Sequence, residues 1–205
     1  MNNQTNFASK ATDRTTDVWL TPRSILDPLG EFDLDPCAAP VPEKWPTAKA
    51  HFTEIEDGLK QPWHGRCYLN PPYSDATVWL KKLADHGNGI ALVFARTETK
   101  GFFSEVWNRA DGLLFIKGRL SFLMWDGFSV LKGGTAGAPS VLIAYGLENA
   151  ALLCDVAHHK IPGKYIPLMP GKCSPKALDE NPPQKTVGDR VGLLQDSFAL
   201  EACGH

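Results

Sequence analysis

The stretch RCYLNPPYSDATVWLKKLADHG, residues 66–87, decides the fold of this 205-residue chain. Its first four residues are mostly apolar and β-prone, which predicts a buried strand over 66–69. From Ser74 to His86 the apolar residues lean to one side and the charged residues to the other. This pattern predicts an amphipathic helix that Gly87 ends. A strand, a loop and a helix in direct succession are typical of an open α/β sheet, which binds ligands at the carboxyl ends of its strands.

The rest of the chain continues this alternation of strands and helices. Apolar runs predict further buried strands at 89–95, 113–116 and 140–145. Weaker patterns predict, in chain order, a helix over 21–29, a strand over 31–35, a short helix at 47–51, a helix over 102–109 and a helix ending near 159. The fold class is therefore α/β, with a mainly parallel central sheet and helices on both faces.

The predicted core fits in one domain. With 43% hydrophobic residues, a chain of this length can bury one core and needs no second domain. We expect a flexible polar N-terminus over residues 1–16, the folded domain over 17–159, and a Pro/Gly/Lys-rich tail over 160–205. Over 119–138 the alternation lapses into a glycine-rich excursion, and a loop of that length is usually functional or disordered.

Composition excludes several classes of protein. The net charge of -2 and the pI of about 6.3 exclude a strongly basic nucleic-acid binder, although DNA contact needs only a local basic surface. No apolar run approaches the ~20 residues of a membrane span, and the polar N-terminus is no signal peptide. Five cysteines without a C-x-x-C pair favour free thiols. His51, His64 and Cys67 match no zinc spacing, so we expect no metal. The chain reads as a cytoplasmic protein.

The loop after the first strand, Asn70-Pro71-Pro72-Tyr73, carries the clearest chemistry. An amide oxygen and a backbone carbonyl held rigid by two prolines can both accept hydrogen bonds from an exocyclic NH2 group. The Tyr73 ring offers a face on which a planar base can stack. A pair of prolines also ends a strand without any function, but the tetrapeptide resembles the catalytic motif of the amino-group methyltransferases that use S-adenosylmethionine.

Other segments offer groups for a methyl donor. A predicted strand ends at Asp35-Pro36-Cys37, where a carboxylate can accept hydrogen bonds from a ribose or an ammonium group. Upstream, Trp19-Leu20-Thr21-Pro22 offers an aromatic surface and a hydroxyl. Asp57 lies between the two motifs, where its carboxylate could accept a hydrogen bond from an adenine amino group. The thiol of Cys37 fits a buried structural position better than a nucleophile.

Taken together, these segments resemble the phage-type (Dam-like) DNA N6-adenine methyltransferases of bacteriophages and prophages. The matching segments are 19–22, 32–38, 57–59 with Trp63, 70–74, 95–100, 118–122 and 138–140. They follow the family's order and extend from about residue 17 to about residue 146. No single segment would identify the family, but the whole set in this order is specific to it.

The resemblance implies a fold, two substrates and residue roles. The fold would be the Rossmann-like class I methyltransferase sheet with a reversed last strand, and the substrates S-adenosylmethionine and double-stranded DNA, with GATC as the suggested target. Asn70 and Pro71 would accept hydrogen bonds from the N6 amino group of the target adenine, and Tyr73 would stack on the flipped base. Asp35 would bind the methionine end of the donor. The remaining donor contacts implied are Trp19, Thr21, Pro22, Pro36, Cys37 and Asp57. Such an enzyme would act in the cytoplasm of a bacterial host, where escape from restriction would suit a phage.

One departure leaves other functions open. The wider superfamily places a glycine-rich G-x-G turn after its first strand, whereas this chain continues Ala38-Ala-Pro-Val-Pro42. A protein with the methyltransferase fold that only binds DNA or a partner would not need the G-x-G turn, but it would not need the Asn70 loop either. A methyltransferase acting on a protein glutamine or an RNA guanine would need the loop, but those relatives usually keep the G-x-G turn.

Cationic residues near the predicted strand ends are candidates for DNA contact. The first group comprises Arg96, Lys100, Lys117, Arg119 and Lys132. A second, His158, His159, Lys160, Lys164, Lys172 and Lys176, falls in a stretch without Asp or Glu. Any single lysine is most simply an ordinary surface residue. As units, however, the 119–138 and 156–176 segments favour phosphate contact. The sequence does not predict the oligomeric state.

Overall fold

The computed structural model describes residues 19–40, 42–125 and 130–168. The strands within these residues are β1 Trp19–Leu20, β2 Leu34–Asp35, β3 Ala50–His51, β4 Cys67–Leu69, β5 Gly89–Phe94, β6 Gly112–Ile116, β7 Ser121–Trp125, β8 Val130–Thr135, β9 Ser140–Tyr145 and β10 Gly163–Pro167. The helices are α1 Arg23–Leu26 with a 3-10 turn Asp27–Leu29, α2 Ala76–His86, α3 Lys100–Phe102 with a π-helical turn Phe103–Trp107, and α4 Leu147–His159. The predicted flexible segment 1–16 lies outside the described residues.

Seven of the described strands form one mixed sheet in the order β10-β6-β9-β5-β4-β2-β3. β2 pairs in parallel with β3 and with β4, and β4 with β5. β9 is antiparallel to both β5 and β6, and β10 is antiparallel to β6. The expectation of a mainly parallel sheet was therefore only partly right. Between β6 and β9 the described residues form a β-hairpin and no crossover helix, and a strand that returns this way pairs antiparallel with its neighbour.

Both faces of this sheet are covered, as the continuous apolar runs predict. One face packs against α1 and α4, with a core that includes Leu29, Tyr68 and Leu153. The other face packs against α2 and the 100–107 helical segment, with a core that includes Leu69 and Leu83. The three residues of β4 alternate between the two cores and are all fully buried.

Two segments depart from the predicted secondary structure. Residues 47–51, expected as a short helix, contain instead the edge strand β3, which pairs with β2. The amides of Ala50 and Phe52 donate to the carbonyls of Asp33 and Asp35 at 2.9 Å, so tertiary pairing overrides the local pattern. The predicted 119–138 excursion contains the antiparallel hairpin β7–β8, which forms a three-stranded sheet with β1.

The sheet also continues past the predicted end of the folded domain at residue 159. Strand β10 pairs with β6 over its full length, with Gly163 opposite Ile116 and Pro167 opposite Gly112. The edge strand of the sheet thus comes from the segment expected to be a tail. Residues 169–205 lie outside the described part of the chain.

The cysteines are only partly as expected. Cys37 and Cys67 are free, and burial raises the pKa of each thiol to about 12, so neither is a thiolate at neutral pH. Cys154 is disulfide-bonded, which corrects the prediction that all five thiols are free.

Arg66 ties together three parts of the chain at the amino end of β4. Its guanidinium donates to the carbonyls of Leu29 and Glu31, both at 2.8 Å, and to Oδ1 of Asn149 on α4 at 2.6 Å. The guanidinium also stacks over the Phe32 ring at 4.2 Å. Because this cluster lies at the end of β4 opposite to Asn70, it stabilises the fold without entering the cavity described below.

We predict that Arg66→Met lowers the free energy of unfolding by about 2–4 kcal/mol, since it leaves the Leu29 carbonyl oxygen and the Asn149 amide oxygen, both on buried residues, unpaired. Urea unfolding followed by circular dichroism measures this. Lys49→Met is the matched control, because Lys49 makes only exposed ion pairs with Glu31 and Asp33, worth about 0–1 kcal/mol. Equal losses in the two variants would contradict the role given to Arg66.

Candidate active site

A large cavity opens where β2 and β4 reach their carboxyl ends. Its volume is about 810 Å³, within the usual range for a small-molecule site. Five stretches of chain and four single residues supply its walls: residues 19–21, 35–40, 53–54, 57–59 and 70–75, with 45, 47, 68 and 79. β2 ends at Asp35 and β4 leads directly into Asn70. The parallel pairing of these two strands therefore brings the two sequence motifs to one edge of the sheet.

Ten of the eleven residues predicted for catalysis and donor binding line this cavity. They are Trp19, Thr21, Asp35, Pro36, Cys37, Asp57, Asn70, Pro71, Pro72 and Tyr73. Pro22 does not line it and instead precedes the first residue of α1 as its N-cap. None of the five predicted DNA-contacting cations lines it.

The Asn70 side chain is fixed by the backbone of β1. Its Nδ2 atom donates to the carbonyl oxygen of Trp19 at 3.1 Å, which leaves Oδ1 as the free acceptor of the amide. Among the described residues, none donates to this Oδ1 or to the Pro71 carbonyl oxygen. Two acceptors that adjoin the cavity are therefore available to a ligand with N–H groups.

Tyr73 is held as a flat wall. Its ring stacks on the ring of Phe94, at the end of β5, with centroids 3.7 Å apart and planes 12° apart. Phe94 does not line the cavity, so it supports Tyr73 from behind. Burial raises the pKa of the Tyr73 phenol to about 12, and the ring is therefore uncharged at neutral pH.

Thr21 and Tyr68 shape the floor of the cavity. Their hydroxyl oxygens lie 2.6 Å apart in a buried hydrogen bond. The indole nitrogen of Trp45 donates to the Thr21 carbonyl oxygen at 2.9 Å. The segment predicted to line the donor pocket is thus held against β4 by a buried hydroxyl pair.

Asp35 is the most buried carboxylate of the cavity, with 3% of its surface exposed. Burial raises its pKa to about 6, against the opposing effect of hydrogen bonds from Thr47 and from the Cys37 amide. The amide donates to Oδ1 at 3.0 Å, and the Thr47 hydroxyl donates to Oδ2. Because no described cation pairs with it, this carboxylate would gain from a positively charged ligand.

Thr47 and its support were not predicted from the sequence. His51 Nε2 accepts hydrogen bonds from the amides of Thr47 and Ala48, at 3.4 and 3.3 Å, which orients the loop that carries Thr47. Burial lowers the pKa of His51, in keeping with a neutral ring that accepts at Nε2. Neither residue belongs to a recognisable motif, and only the pairing of β3 with β2 brings them to Asp35.

The cavity wall carries negative charge only. Four carboxylates line it, Asp35, Glu54, Asp57 and Asp75, and no Lys, Arg or His does among the described residues. Asp57 has a left-handed backbone with φ of 53° and pairs with Lys60 at 2.8 Å. Such a wall attracts a cationic ligand and repels phosphates.

The predicted DNA-contacting cations lie outside the cavity, and four of the five follow strands that end at the same edge of the seven-stranded sheet. Arg96 and Lys100 follow the carboxyl end of β5, Lys117 and Arg119 follow that of β6, and Lys132 lies on β8. All five are exposed, and none pairs with a carboxylate of the described residues. In contrast, His159 of the second predicted group lies 3.8 Å from Asp155, while Lys172 and Lys176 lie outside the described residues.

The described residues lack two further features. No group of three or more His, Cys, Asp or Glu side chains there could hold a metal ion. No helix among them is long and apolar enough to span a membrane.

A family model described as DNA N-6-adenine-methyltransferase (Dam) matches residues 8–158, about three quarters of the chain. The chain belongs to this family. The mixed seven-stranded sheet with helices on both faces is consistent with a methyltransferase fold, and the family supports DNA N6-adenine methylation as the activity. No curated protein and no solved structure matches the chain.

The buried charge of Asp35 predicts a pH-dependent stability. The pKa of the folded state, about 6, lies above the ordinary value of 3.8. This group therefore stabilises the fold most below pH 3.8, and the contribution is lost as the pH rises through 6. The loss is on the order of 3 kcal/mol.

We therefore predict that Asp35→Asn raises the Tm relative to the wild type more at pH 7.5 than at pH 4.5. Thermal unfolding without added ligand measures this difference, and other titrating groups cancel between the two proteins. A Tm difference that does not change with pH would show that Asp35 is not desolvated in the folded state.

Proposed function

We propose that this protein transfers a methyl group from S-adenosylmethionine to adenine N6 of double-stranded DNA. The observation that carries the proposal is the pair of free acceptors, Asn70 Oδ1 and the Pro71 carbonyl oxygen, beside a cavity whose charged lining residues, among those described, are all carboxylates. The two acceptors suit a neutral NH2 group, and the carboxylates suit a cationic methyl donor. We further assign the fold to the Rossmann-like class I methyltransferases.

The residues of the cavity fit the donor. S-adenosylmethionine carries a sulfonium and an ammonium group, and it supplies a methyl carbon that the sulfonium makes electrophilic. Asp35 would accept hydrogen bonds from the ammonium group, which would favour the ionised carboxylate despite its burial. Trp19, Thr21, Pro36 and Cys37 would line the methionine side of the cavity. Dinucleotides and other phosphate-bearing cofactors fit poorly, since no lining cation would face their phosphates.

Asn70 and Pro71 would act on the target nitrogen. Both accept N–H hydrogen bonds, and the bond from Asn70 Nδ2 to Trp19 already orients the amide for this role. As the nitrogen gains positive charge, preorganised acceptors stabilise that charge better than water would. In the balanced reaction the nitrogen lone pair forms the new N–C bond, the C–S electron pair stays on sulfur, and one N6 proton is released.

Tyr73 would hold the base beside these acceptors. A base inside a duplex cannot reach such a cavity, so the adenine must be flipped out and held by stacking. Phe94 already supports one face of the Tyr73 ring, and the ring lines the cavity. Support from behind fixes the plane on which the base would lie.

The charge distribution suits a DNA substrate. The cations Arg96, Lys100, Lys117, Arg119 and Lys132 would contact phosphates. The carboxylates of the cavity would repel phosphates from the donor site. The base could then enter the cavity while its backbone stays on the basic edge.

The absent G-x-G turn favours a second candidate function, a methyltransferase-fold protein that binds DNA without catalysis. Ala38, Ala39 and Pro40 line the cavity where glycines would let the backbone approach the donor closely. Against this candidate stands the preserved acceptor geometry of Asn70, which binding alone does not require.

Transfer of a labelled methyl group from S-adenosylmethionine to unmethylated duplex DNA tests the proposal, with nucleoside analysis of the product. We expect N6-methyladenine as the labelled nucleoside. A folded protein that binds DNA but transfers no methyl group would contradict the proposal in favour of the binding function, and label on protein or RNA alone would redirect it to another amino group.

We predict that Asn70→Ala lowers methyl transfer by at least about a hundredfold, because one preorganised acceptor is lost. Tyr73→Ala should also abolish detectable transfer by removing the stacking surface. Circular dichroism and S-adenosylmethionine affinity should stay close to wild type in both variants. Full activity in both would rule out the assigned mechanism.

The cationic edge leads to a separate prediction. Arg96→Ala and Arg119→Ala should each weaken DNA binding, and each should reduce the slope of log affinity against log salt by about 1. Fluorescence anisotropy at several salt concentrations measures both quantities. Lys49→Ala serves as the control, since Lys49 is already paired with Glu31. If the arginine variants keep the wild-type slope, the DNA surface lies elsewhere.

A further inference from the structure

Lys82 on α2 makes an unusual set of contacts for a lysine. Its ammonium nitrogen donates to three backbone carbonyl oxygens, those of Gly58 at 3.0 Å, Leu59 at 2.6 Å and Gln61 at 2.6 Å. All three donor positions of an ammonium group are thereby used. Burial lowers the pKa of Lys82, so the side chain has left part of its hydration shell to make these bonds.

The segment that Lys82 holds forms one wall of the cavity. Asp57, Gly58 and Leu59 all line it. Gly58 also packs directly against the turn after Asp35, since a Cβ atom at Gly58 would lie 1.9 Å from the Pro36 carbonyl oxygen. Close contact of this kind tolerates no side chain, so the wall and the Asp35 turn are positioned together.

A second side chain fastens the same segment. The indole nitrogen of Trp63 donates to the Gly58 carbonyl oxygen at 2.7 Å. The Lys82 ammonium lies 5.2 Å from the centroid of the Trp63 ring, within the range of a cation–π contact. Trp63 in turn stacks on Trp79 of α2, with centroids 6.2 Å apart. The ring of His86, at the end of α2, also packs edge-on against Trp63, so α2 contacts the 57–63 segment through three of its own residues.

The helix that carries Lys82 is also the helix that follows the acceptor loop. α2 begins at Ala76, three residues after Tyr73. A rigid helix therefore joins the acceptor loop at its start to the cavity wall near its middle. The neighbouring Lys81 faces solvent, and within the described part of the chain its one ion pair is with Asp85, at 2.8 Å.

We infer that Lys82 is a positioning residue that holds the 57–61 wall of the donor cavity at a fixed distance from the acceptor loop. The inference rests on the proposed function, because it takes the cavity to be the donor site. Lys82 touches neither substrate. It acts through the three carbonyls, and its loss should loosen the wall that contacts the donor while leaving Asn70 and Tyr73 in place.

Lys82→Met tests this role, with Lys81→Met as the matched control one residue away. We expect Lys82→Met to raise the Kd for S-adenosylmethionine at least tenfold in calorimetry without DNA, and Lys81→Met to change it less than twofold. In methyl transfer, Lys82→Met should raise the KM for the donor with little change in kcat or in the KM for DNA. A purely structural defect would instead lower kcat together with the Tm.

Hydrogen–deuterium exchange gives a readout that does not depend on the donor. Lys82→Met should speed exchange in the 57–63 amides and leave the 67–73 amides unchanged. If Lys82→Met does not fold, Lys82→Gln, which keeps a shorter donor group, replaces it in both experiments. Unchanged exchange in 57–63, or equal donor affinity in the two lysine variants, would overturn the inference. Failure of the proposed function would appear differently, as absent donor binding in the wild type.

Discussion

Strand β4 is the constraint on which the arrangement of the site depends. It is three residues long, fully buried on both faces, and paired with β2 on one side and β5 on the other. Both neighbouring strands end at the same edge of the sheet, β2 at the Asp35 turn and β5 at Phe94. A shift of β4 by one residue would exchange its faces and move Asn70 away from the Trp19 carbonyl oxygen.

The site separates two kinds of charge over a short stretch of surface. Carboxylates line the cavity and cations occupy the surrounding edge of the sheet. Asp35 shows the cost of this arrangement, since its burial raises the pKa to about 6 in the absence of a positive ligand. A buried carboxylate that weakens the free protein and suits a cationic ligand is typical of a binding site, where function and stability oppose each other.

The sequence predicts the parts of the fold that depend on local pattern. Continuous apolar runs identify β5 and β9, helical periodicity identifies α2, and ten of the eleven motif residues meet in one cavity. It does not predict β3 or the β7–β8 hairpin, because their pairing is decided by distant strands. Thr47, His51 and Lys82 are missed for a related reason. Thr47 donates to the Asp35 carboxylate, whereas His51 and Lys82 bond to backbone groups, and none of these hydrogen bonds leaves a pattern in the sequence.

A crystal structure of the protein with S-adenosylhomocysteine is the decisive measurement, because it shows where the transferred methyl group must start. We expect the ligand's ammonium group to contact Asp35 and its adenine to lie against the 57–59 wall. Its sulfur should face the space between Asn70 Oδ1 and the Tyr73 ring. A ligand bound outside this cavity, or one whose sulfur points away from Asn70, would contradict the assignment of the Asn70–Tyr73 loop as the site of methyl transfer.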